Sequence, residues 1–176
     1  MFPLGHAAFG YLLYTVFAWV TRHRLPYGLT LVALLVGTQF PDIVDKPLAY
    51  AGVLPGGRSL GHSLLVAAVL VTLLWLLARR YGHAHLLVAF GFGHISHILG
   101  DVIRTDFGSA TEVGRLTFLL WPLLPAPEYS VDSVPPWIRI IRYYRSPDIT
   151  PGLVLVPVVL ITFVVIELQR RRVAPK

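Results

Sequence analysis

Long runs of apolar residues dominate the hydrophobic pattern of this chain. Four runs of about 16 to 20 residues are long enough for a helix to cross the hydrocarbon core of a bilayer. They cover residues 5–20, 62–78, 84–103 and 151–168. A shorter run at 29–40 lies between the first two, and we count it as a span that is buried among the others. The pattern predicts an all-α membrane helix bundle of about five spans in a single domain, residues 1–176.

The stretch 105–150 departs from this pattern because it is rich in proline, glycine and charge. Within it, residues 137–145 place an arginine at every third position among aromatic and aliphatic residues, so the arginines share one broad face of a helix. This is typical of an amphipathic helix in the headgroup layer, although a helix that only covers the spans would look the same. We expect a partly irregular outer loop between the helices of residues 1–105 and a C-terminal span at 151–170.

Composition and charge agree with a membrane protein. Hydrophobic residues make up 55% of the chain and charged residues 14%, against about 25% charged residues in soluble domains. With five spans, three basic groups fall on one side of the membrane, which the positive-inside rule assigns to the cytoplasm. These groups are Arg22 and Arg24, Arg79 and Arg80, and the tail Arg170, Arg171, Arg172 and Lys176. We therefore expect a multi-pass cell-membrane protein with its N-terminus outside and its C-terminus in the cytoplasm.

Ionisable residues are costly in a membrane, yet four segments of this chain bring histidine or aspartate to the predicted outer face. The chain has no cysteine, so a metal site must use histidine and carboxylate. On a helix, the i,i+3 and i,i+4 spacings of His94, His97 and Asp101 place these residues on one face. This donor set suits a divalent metal, most of all zinc, with manganese or iron as alternatives. The candidate ligands are His6, Asp42, Asp45, His62, His94, His97 and Asp101.

Two further interpretations of these polar residues stay open. The candidate ligands could instead form a buried polar network that only holds the helices together. Arg58, four residues before His62, suits the binding of a phosphate or another anion beside a metal, but it could also anchor the edge of the bilayer. Ser59 and Ser63 are expected to cap a helix or to hydrogen-bond to the ligands.

At these residues the chain resembles the YdjM-type family of membrane-bound predicted metal-dependent hydrolases. The likeness covers about residues 1–105 and consists of four ordered motifs. These are Gly5-His6, then Pro41-Asp42-x-x-Asp45, then Arg58-x-x-x-His62-Ser63, and last Ser96-His97-x-x-x-Asp101. The family pattern has its second aspartate two residues after the first, where this chain has Val44. The motif therefore leaves open which of the two aspartates binds metal.

The resemblance implies a function, because the family is distantly similar to zinc-dependent phospholipase C and P1-type nucleases. It implies that His6, Asp42 or Asp45, His62, His97 and Asp101 hold one or two ions. We expect a metal-dependent hydrolase of a phosphoester or phosphodiester, such as a phospholipid, at the outer membrane face. Asp42 or Asp45 would act as general base, and Arg58 would hold the anionic substrate.

The alternative is a non-enzymatic integral membrane protein with a structural metal or polar cluster. Beyond the lipid bilayer and an anionic substrate, the sequence indicates no partner. We expect no nucleic-acid partner, since the chain lacks a basic groove with interleaved aromatic residues. The oligomeric state has no signal in the sequence.

Overall fold

The computed structural model describes residues 3–21, 25–103, 116–146 and 151–173. These residues form six α-helices and no β-strand. Two short 3-10 helices lie at Thr117–Leu120 and Ser130–Ser133. The α-helices are α1 (Pro3–Val20), α2 (Gly28–Tyr50), α3 (Leu64–Arg80), α4 (Ala84–Ile103), α5 (Pro136–Arg145) and α6 (Pro151–Val173). The all-helical prediction is confirmed for the described residues.

Helix α2 differs most from its prediction. The apolar run ends at residue 40, and proline normally stops a helix because it lacks an N–H donor. The helix nevertheless continues through Pro41 and Pro47 to Tyr50. Its packing along α4, the most extensive contact between two helices among the described residues, supports this continuation. As a result Asp42 and Asp45 lie within the helix and not in a loop after it.

Two of the described helices, α2 and α4, are long and apolar enough to cross a membrane. A shorter apolar stretch covers Leu153–Leu168 within α6. Helices α1 and α3 have 18 and 17 residues, and a helix of that size is only about 26–27 Å long at 1.5 Å per residue. The predicted count of about five spans is therefore not confirmed by helix length and composition.

Glycine lets three helices approach one another closely. A Cβ atom on Gly37 of α2 would overlap the carbonyl oxygen of Phe90 on α4, and one on Gly93 of α4 would overlap the carbonyl oxygen of Leu34. On α1, a Cβ atom at Gly10 would overlap the side chain of Thr38. Small residues at such crossings are a common device of helix packing in membranes. Here they bring the polar residues of α1, α2 and α4 within reach of one another.

The segment 116–146 closes the end of the bundle where these polar residues lie. Phe118 is fully buried and packs with Ala67 and Ile98. Helix α5, which the arginine spacing predicted, contacts α2 through the rings of Tyr50 and Trp137, whose centroids are 5.7 Å apart. Ser63 caps α3, as expected, by accepting a hydrogen bond from the Val66 N–H at 3.3 Å.

Candidate metal centre

Five of the seven candidate ligands meet in one buried cluster. His6 comes from the first turns of α1, Asp42 from α2, and His62 from the loop just before α3. His97 and Asp101 come from the second half of α4 and share one face through their i,i+4 spacing. All three histidines are fully buried, and the two aspartates are 9% exposed or less. Segments far apart in sequence thus deliver these side chains to one end of the bundle.

The distances in this cluster match those of a metal's ligand shell. The Nε2 atoms of His62 and His97 are 3.1 Å apart. His62 Nε2 lies 3.7 Å from Asp101 Oδ2 and 3.5 Å from Asp42 Oδ1, and His97 Nε2 lies 3.6 Å from the same Asp42 oxygen. Ligands around tetrahedral zinc, with bonds of 2.0–2.1 Å, are about 3.3–3.4 Å from one another. These residues could therefore hold one metal ion with small adjustments.

Hydrogen bonds on the far side of each ring hold the two histidines in a ligand's orientation. His62 Nδ1 lies 2.8 Å from Asp45 Oδ2, and His97 Nδ1 lies 2.6 Å from the carbonyl oxygen of Thr38. Because a carboxylate and a carbonyl only accept hydrogen bonds, both Nδ1 atoms carry the proton. Both Nε2 lone pairs then face the cluster, as in metal sites where a second hydrogen bond orients the ligand.

Asp45 is fully occupied by protein hydrogen bonds. Besides His62 Nδ1, its carboxylate accepts the backbone N–H groups of Ser59 at 2.8 Å, Gly61 at 2.7 Å and His62 at 3.2 Å. The side chain is completely buried. The structure therefore places Asp45 behind His62, on the opposite side of the ring from the cluster, whereas Asp42 faces the cluster directly.

His6 belongs to a second set of possible metal ligands, which overlaps the first set. Its ring stacks on the ring of His97 with centroids 3.6 Å apart, and its Nε2 lies 3.4 Å from Asp101 Oδ1. Ligand atoms of His6, Asp42 and His97 all lie within 4.8 Å of one another, as do those of His62, His97 and Asp101. Among the described residues, neither ring nitrogen of His6 nor Asp42 Oδ1 has a hydrogen-bond partner. Buried polar atoms rarely lack a hydrogen-bond partner, and a bound cation would interact with these atoms instead.

His94 stays apart from this cluster. Its Nε2 donates a hydrogen bond to the carbonyl oxygen of Gly61 at 2.6 Å, and its ring lies 5.5 Å from that of Phe40 and 6.0 Å from that of Phe90. It joins neither group of candidate ligands. This residue ties the loop of His62 to α4.

Two cations stand beside the aspartates at the rim of the cluster. Arg58 Nε lies 2.8 Å from Asp101 Oδ2, and Lys46 pairs with Asp42 Oδ2 across one helical turn. The Arg58 and Lys46 side chains are 27% and 25% exposed. With Asp45 included, three carboxylates face two cations, so one negative charge is left over. A divalent cation would reverse that balance and leave the site attractive to an anion.

Loop 116–146 supplies contacts that the sequence did not reveal. Tyr129 accepts a hydrogen bond from Arg58 Nη1 at 3.1 Å, and the Arg58 guanidinium carbon lies 5.3 Å from the centroid of its ring. Asp132 accepts the Gly57 N–H at 2.8 Å and pairs with Arg139 at 3.2 Å. Tyr129 and Asp132 lie in the part of this segment before α5, which has no periodic pattern that would have indicated these contacts. Lys46 did carry a signal, its i,i+4 spacing from Asp42, once α2 is known to continue past Pro41.

The protonation of the two loop residues follows from these contacts. Burial alone would lower the pKa of Arg58, but Asp101 and Tyr129 outweigh it and raise that pKa, so the guanidinium stays charged. Burial would also lower the pKa of His62. Its interactions with Asp42 and Asp45 outweigh this and raise the pKa above its ordinary value. His62 therefore binds a proton readily when no metal competes for it.

Comparison with known proteins agrees with the membrane assignment. No curated protein and no solved structure matches the chain. The family model described as YdjM inner membrane protein matches residues 1–173, nearly the whole sequence. The match extends the likeness seen in residues 1–105 to residue 173. The chain therefore belongs to the YdjM inner membrane protein family.

Proposed function

We propose that this chain is a membrane-embedded, metal-dependent hydrolase that acts on a phosphoester or phosphodiester. The observation that carries the proposal is the convergence of the His62 and His97 Nε2 atoms with Asp42 and Asp101 oxygens at distances of 3.1 to 3.7 Å. In a polar network that only linked helices, each buried polar atom would be expected to have a hydrogen-bond partner. Here His6 and Asp42 keep buried polar atoms without a hydrogen-bond partner in the described part of the chain.

His62, His97 and Asp101 are our choice for the metal ligands. Their mixture of imidazole and carboxylate suits zinc, with manganese or iron as alternatives. Three protein ligands leave a fourth position open, which is the pattern of catalytic sites and not of closed structural ones. A divalent ion bound there would supply Lewis acidity and an activated water. His6, Asp42 and His97 form an overlapping group of donors. The only free lone pair of His97, at Nε2, binds one ion, so we assign a single ion to the site.

The remaining polar residues divide the other tasks of hydrolysis among them. Asp42 is our choice for the general base, because its Oδ1 faces the histidines without a hydrogen-bond partner among the described residues. Asp45, the other aspartate named from the sequence, is a positioning residue, since its oxygens already hold His62 and its loop. Arg58 and Lys46 would hold the phosphate, because both are charged, partly exposed and adjacent to the proposed reaction centre.

We also propose the full topology that the sequence suggested, with the metal site outside. The N-terminal part of α1 and the C-terminal part of α4 lie at one end of the bundle, because His6 is near Asp101. Arg79 and Arg80 lie in the last turn of α3, at the other end from His62. This supports a multi-pass arrangement with the N-terminus outside and the C-terminus in the cytoplasm.

Hydrolysis of simple phosphate esters tests the proposed activity. Detergent-purified protein is loaded with zinc or manganese and assayed with p-nitrophenyl phosphate and bis(p-nitrophenyl) phosphate. We expect release of p-nitrophenol that a chelator abolishes and that Asp42→Asn lowers by about a hundredfold or more while metal is retained. His85→Ala, a histidine exposed away from the cluster, is the matched control.

The same assay separates the proposal from its alternatives. Loss of metal in Asp42→Asn would make Asp42 a ligand and not the base. Retained metal without turnover of phosphate esters, including lipid ones, would favour a structural metal in a non-enzymatic membrane protein.

A further inference from the structure

An apolar groove runs along the outside of the bundle between α1, α2 and α6. Its volume is about 250 Å³. It is lined by apolar side chains, among them Leu4, Ala7, Leu31, Leu35, Val159 and Phe163. Tyr11 lines its inner end, with its ring 6.0 Å from that of Phe163. Among its lining residues, no charged side chain interrupts the groove.

The groove opens at the side of the helix bundle and is not an enclosed cavity in the core. Leu4, Leu35 and Leu160 line it and are 51%, 36% and 58% exposed. In a protein of an inner membrane family, side chains this exposed on an apolar helix face contact lipid. A hydrocarbon chain can therefore enter the groove from the bilayer without crossing water.

One face of α2 joins the groove to the candidate metal centre. Leu31 and Leu35 line the groove, and Gln39 and Asp42 follow at spacings of four and three residues, so all four share this face. Gln39 Nε2 donates a hydrogen bond to the Pro3 carbonyl oxygen at 3.1 Å, which ties α2 to the start of α1. Along this face of α2, the apolar residues that line the groove are thus followed by the proposed general base, Asp42.

On α1 the same two features lie next to each other. Ala7 lines the groove, and its neighbour His6 stacks on His97 in the cluster. A molecule with an apolar chain and a phosphate at its end matches this order of surfaces. Its chain would meet the leucines, and its phosphate would meet the excess positive charge of a metal-loaded site flanked by Arg58 and Lys46.

We infer that the groove holds one hydrocarbon chain of a bilayer lipid, and that the phosphoester of that lipid is the substrate. This inference rests on the proposed hydrolase function and narrows its substrate to a membrane lipid. A second copy of this chain is a weaker occupant, because its apolar surface would offer nothing to the candidate metal centre beside the groove.

Photo-crosslinking tests the groove without requiring turnover. The probe is a phosphatidylglycerol with a diazirine in one acyl chain, present in vesicles of phosphatidylcholine that contain the full-length protein. We expect crosslinks in the peptides that span residues 4–11 and 156–163. Ala7→Trp fills the groove and should lower this labelling about tenfold, since overpacking an occupied site is costly. Ala68→Trp, the same change at an exposed position of α3, should leave the labelling unchanged.

Turnover supplies a second readout. In wild type, the ratio of kcat/KM for the lipid to that for bis(p-nitrophenyl) phosphate should be high, and Ala7→Trp should lower this ratio about tenfold. Metal content, measured in every variant, shows that the bundle is intact.

The two proposals fail in different ways. Crosslinks that spread over α3 and are unaffected by Ala7→Trp would overturn the groove assignment, even if simple esters are hydrolysed. Crosslinks between groove peptides and a second copy would overturn it too. Groove labelling without hydrolysis of any ester would overturn the hydrolase and with it the lipid's role as substrate, and would leave the groove as a lipid-binding site.

Discussion

The imidazoles of His62 and His97 face each other with their Nε2 atoms 3.1 Å apart. Each ring already donates its Nδ1 proton to another part of the protein, one to Asp45 and the other to the Thr38 carbonyl. Two lone pairs therefore point toward one place in the bundle. When no metal is bound, a proton on one Nε2 can bridge the pair. A metal ion would bind both lone pairs at once, which is the physical reason for interpreting the cluster as a metal centre.

Asp45 should raise the metal affinity of the site without being a ligand itself. In Asp45→Asn the carboxylate that orients His62 is lost, while the three proposed ligands remain. We expect metal affinity to fall about 10- to 100-fold, as for other losses of a group that orients a histidine ligand. Competition with a chelator of known affinity measures this change. If Asp45→Asn instead removed metal as completely as His62→Ala does, Asp45 would be a direct ligand.

Metal binding should weaken on acidification. In the metal-free chain, Asp42 and Asp45 raise the pKa of His62 above its ordinary value, against the effect of burial. A protonated ring cannot bind metal, so affinity should start to fall at a pH higher than an ordinary histidine, with a pKa of about 6.5, would give. Asp45→Asn removes one of the raising interactions and should move this fall to lower pH. A titration of zinc affinity between pH 5 and 8 checks the prediction, and identical profiles for the two proteins would contradict it.

The glycine contacts between α2 and α4 should be sensitive to a single methyl group. Gly37→Ala places a Cβ atom where it overlaps the Phe90 carbonyl oxygen, a backbone atom that cannot rotate away as a flexible side chain can. We expect a loss of about 1–3 kcal/mol in stability, typical of overpacking, together with weaker metal binding. Gly91→Ala is the control, because its nearest neighbour is a flexible methyl of Val71 at 3.1 Å. Thermal unfolding in detergent compares them, and equal melting temperatures would show that α2 and α4 can separate without cost.

The proposed orientation can be tested with single cysteines, because the natural chain has none. Ser133→Cys lies in the loop that closes the metal site, and Tyr81→Cys lies just after α3; both residues are exposed. In intact cells we expect a membrane-impermeant thiol reagent to label Ser133→Cys, and to label Tyr81→Cys only after lysis. The reverse pattern would put the metal site in the cytoplasm.

Much of the fold was predictable, because long apolar runs favour membrane helices and a regular spacing of polar residues favours an amphipathic helix. The predicted run at 84–103 coincides with α4, and the arginine spacing at 137–145 matches α5 within one residue. The end of α2 was missed, because Pro41 is locally a stop signal and only packing against α4 overrides it. Crossing the membrane depends on the bilayer as well as on the sequence, and among the described residues helix length and composition together support only α2 and α4 as spans.

The candidate site was predictable where spacing carried information. His97 and Asp101 share a helix face by their spacing, and the structure places both in the cluster. Nothing local distinguishes Asp42 from Asp45, since the difference lies in which backbone N–H groups the loop before α3 turns toward Asp45. His94 is three residues from His97, a spacing that also favours a shared helix face, yet its Nε2 donates a hydrogen bond to the Gly61 carbonyl. Such choices depend on contacts distant in sequence.

Metal content is the most direct test of the account. Protein purified in mild detergent, as wild type and as His62→Ala, His97→Ala and the control His85→Ala, is analysed by elemental mass spectrometry. We predict about one equivalent of zinc, manganese or iron in wild type and in His85→Ala, and a loss of most of that metal in the other two variants. A folded wild type that holds no metal even after reconstitution would contradict the account and leave the cluster as a polar network between helices.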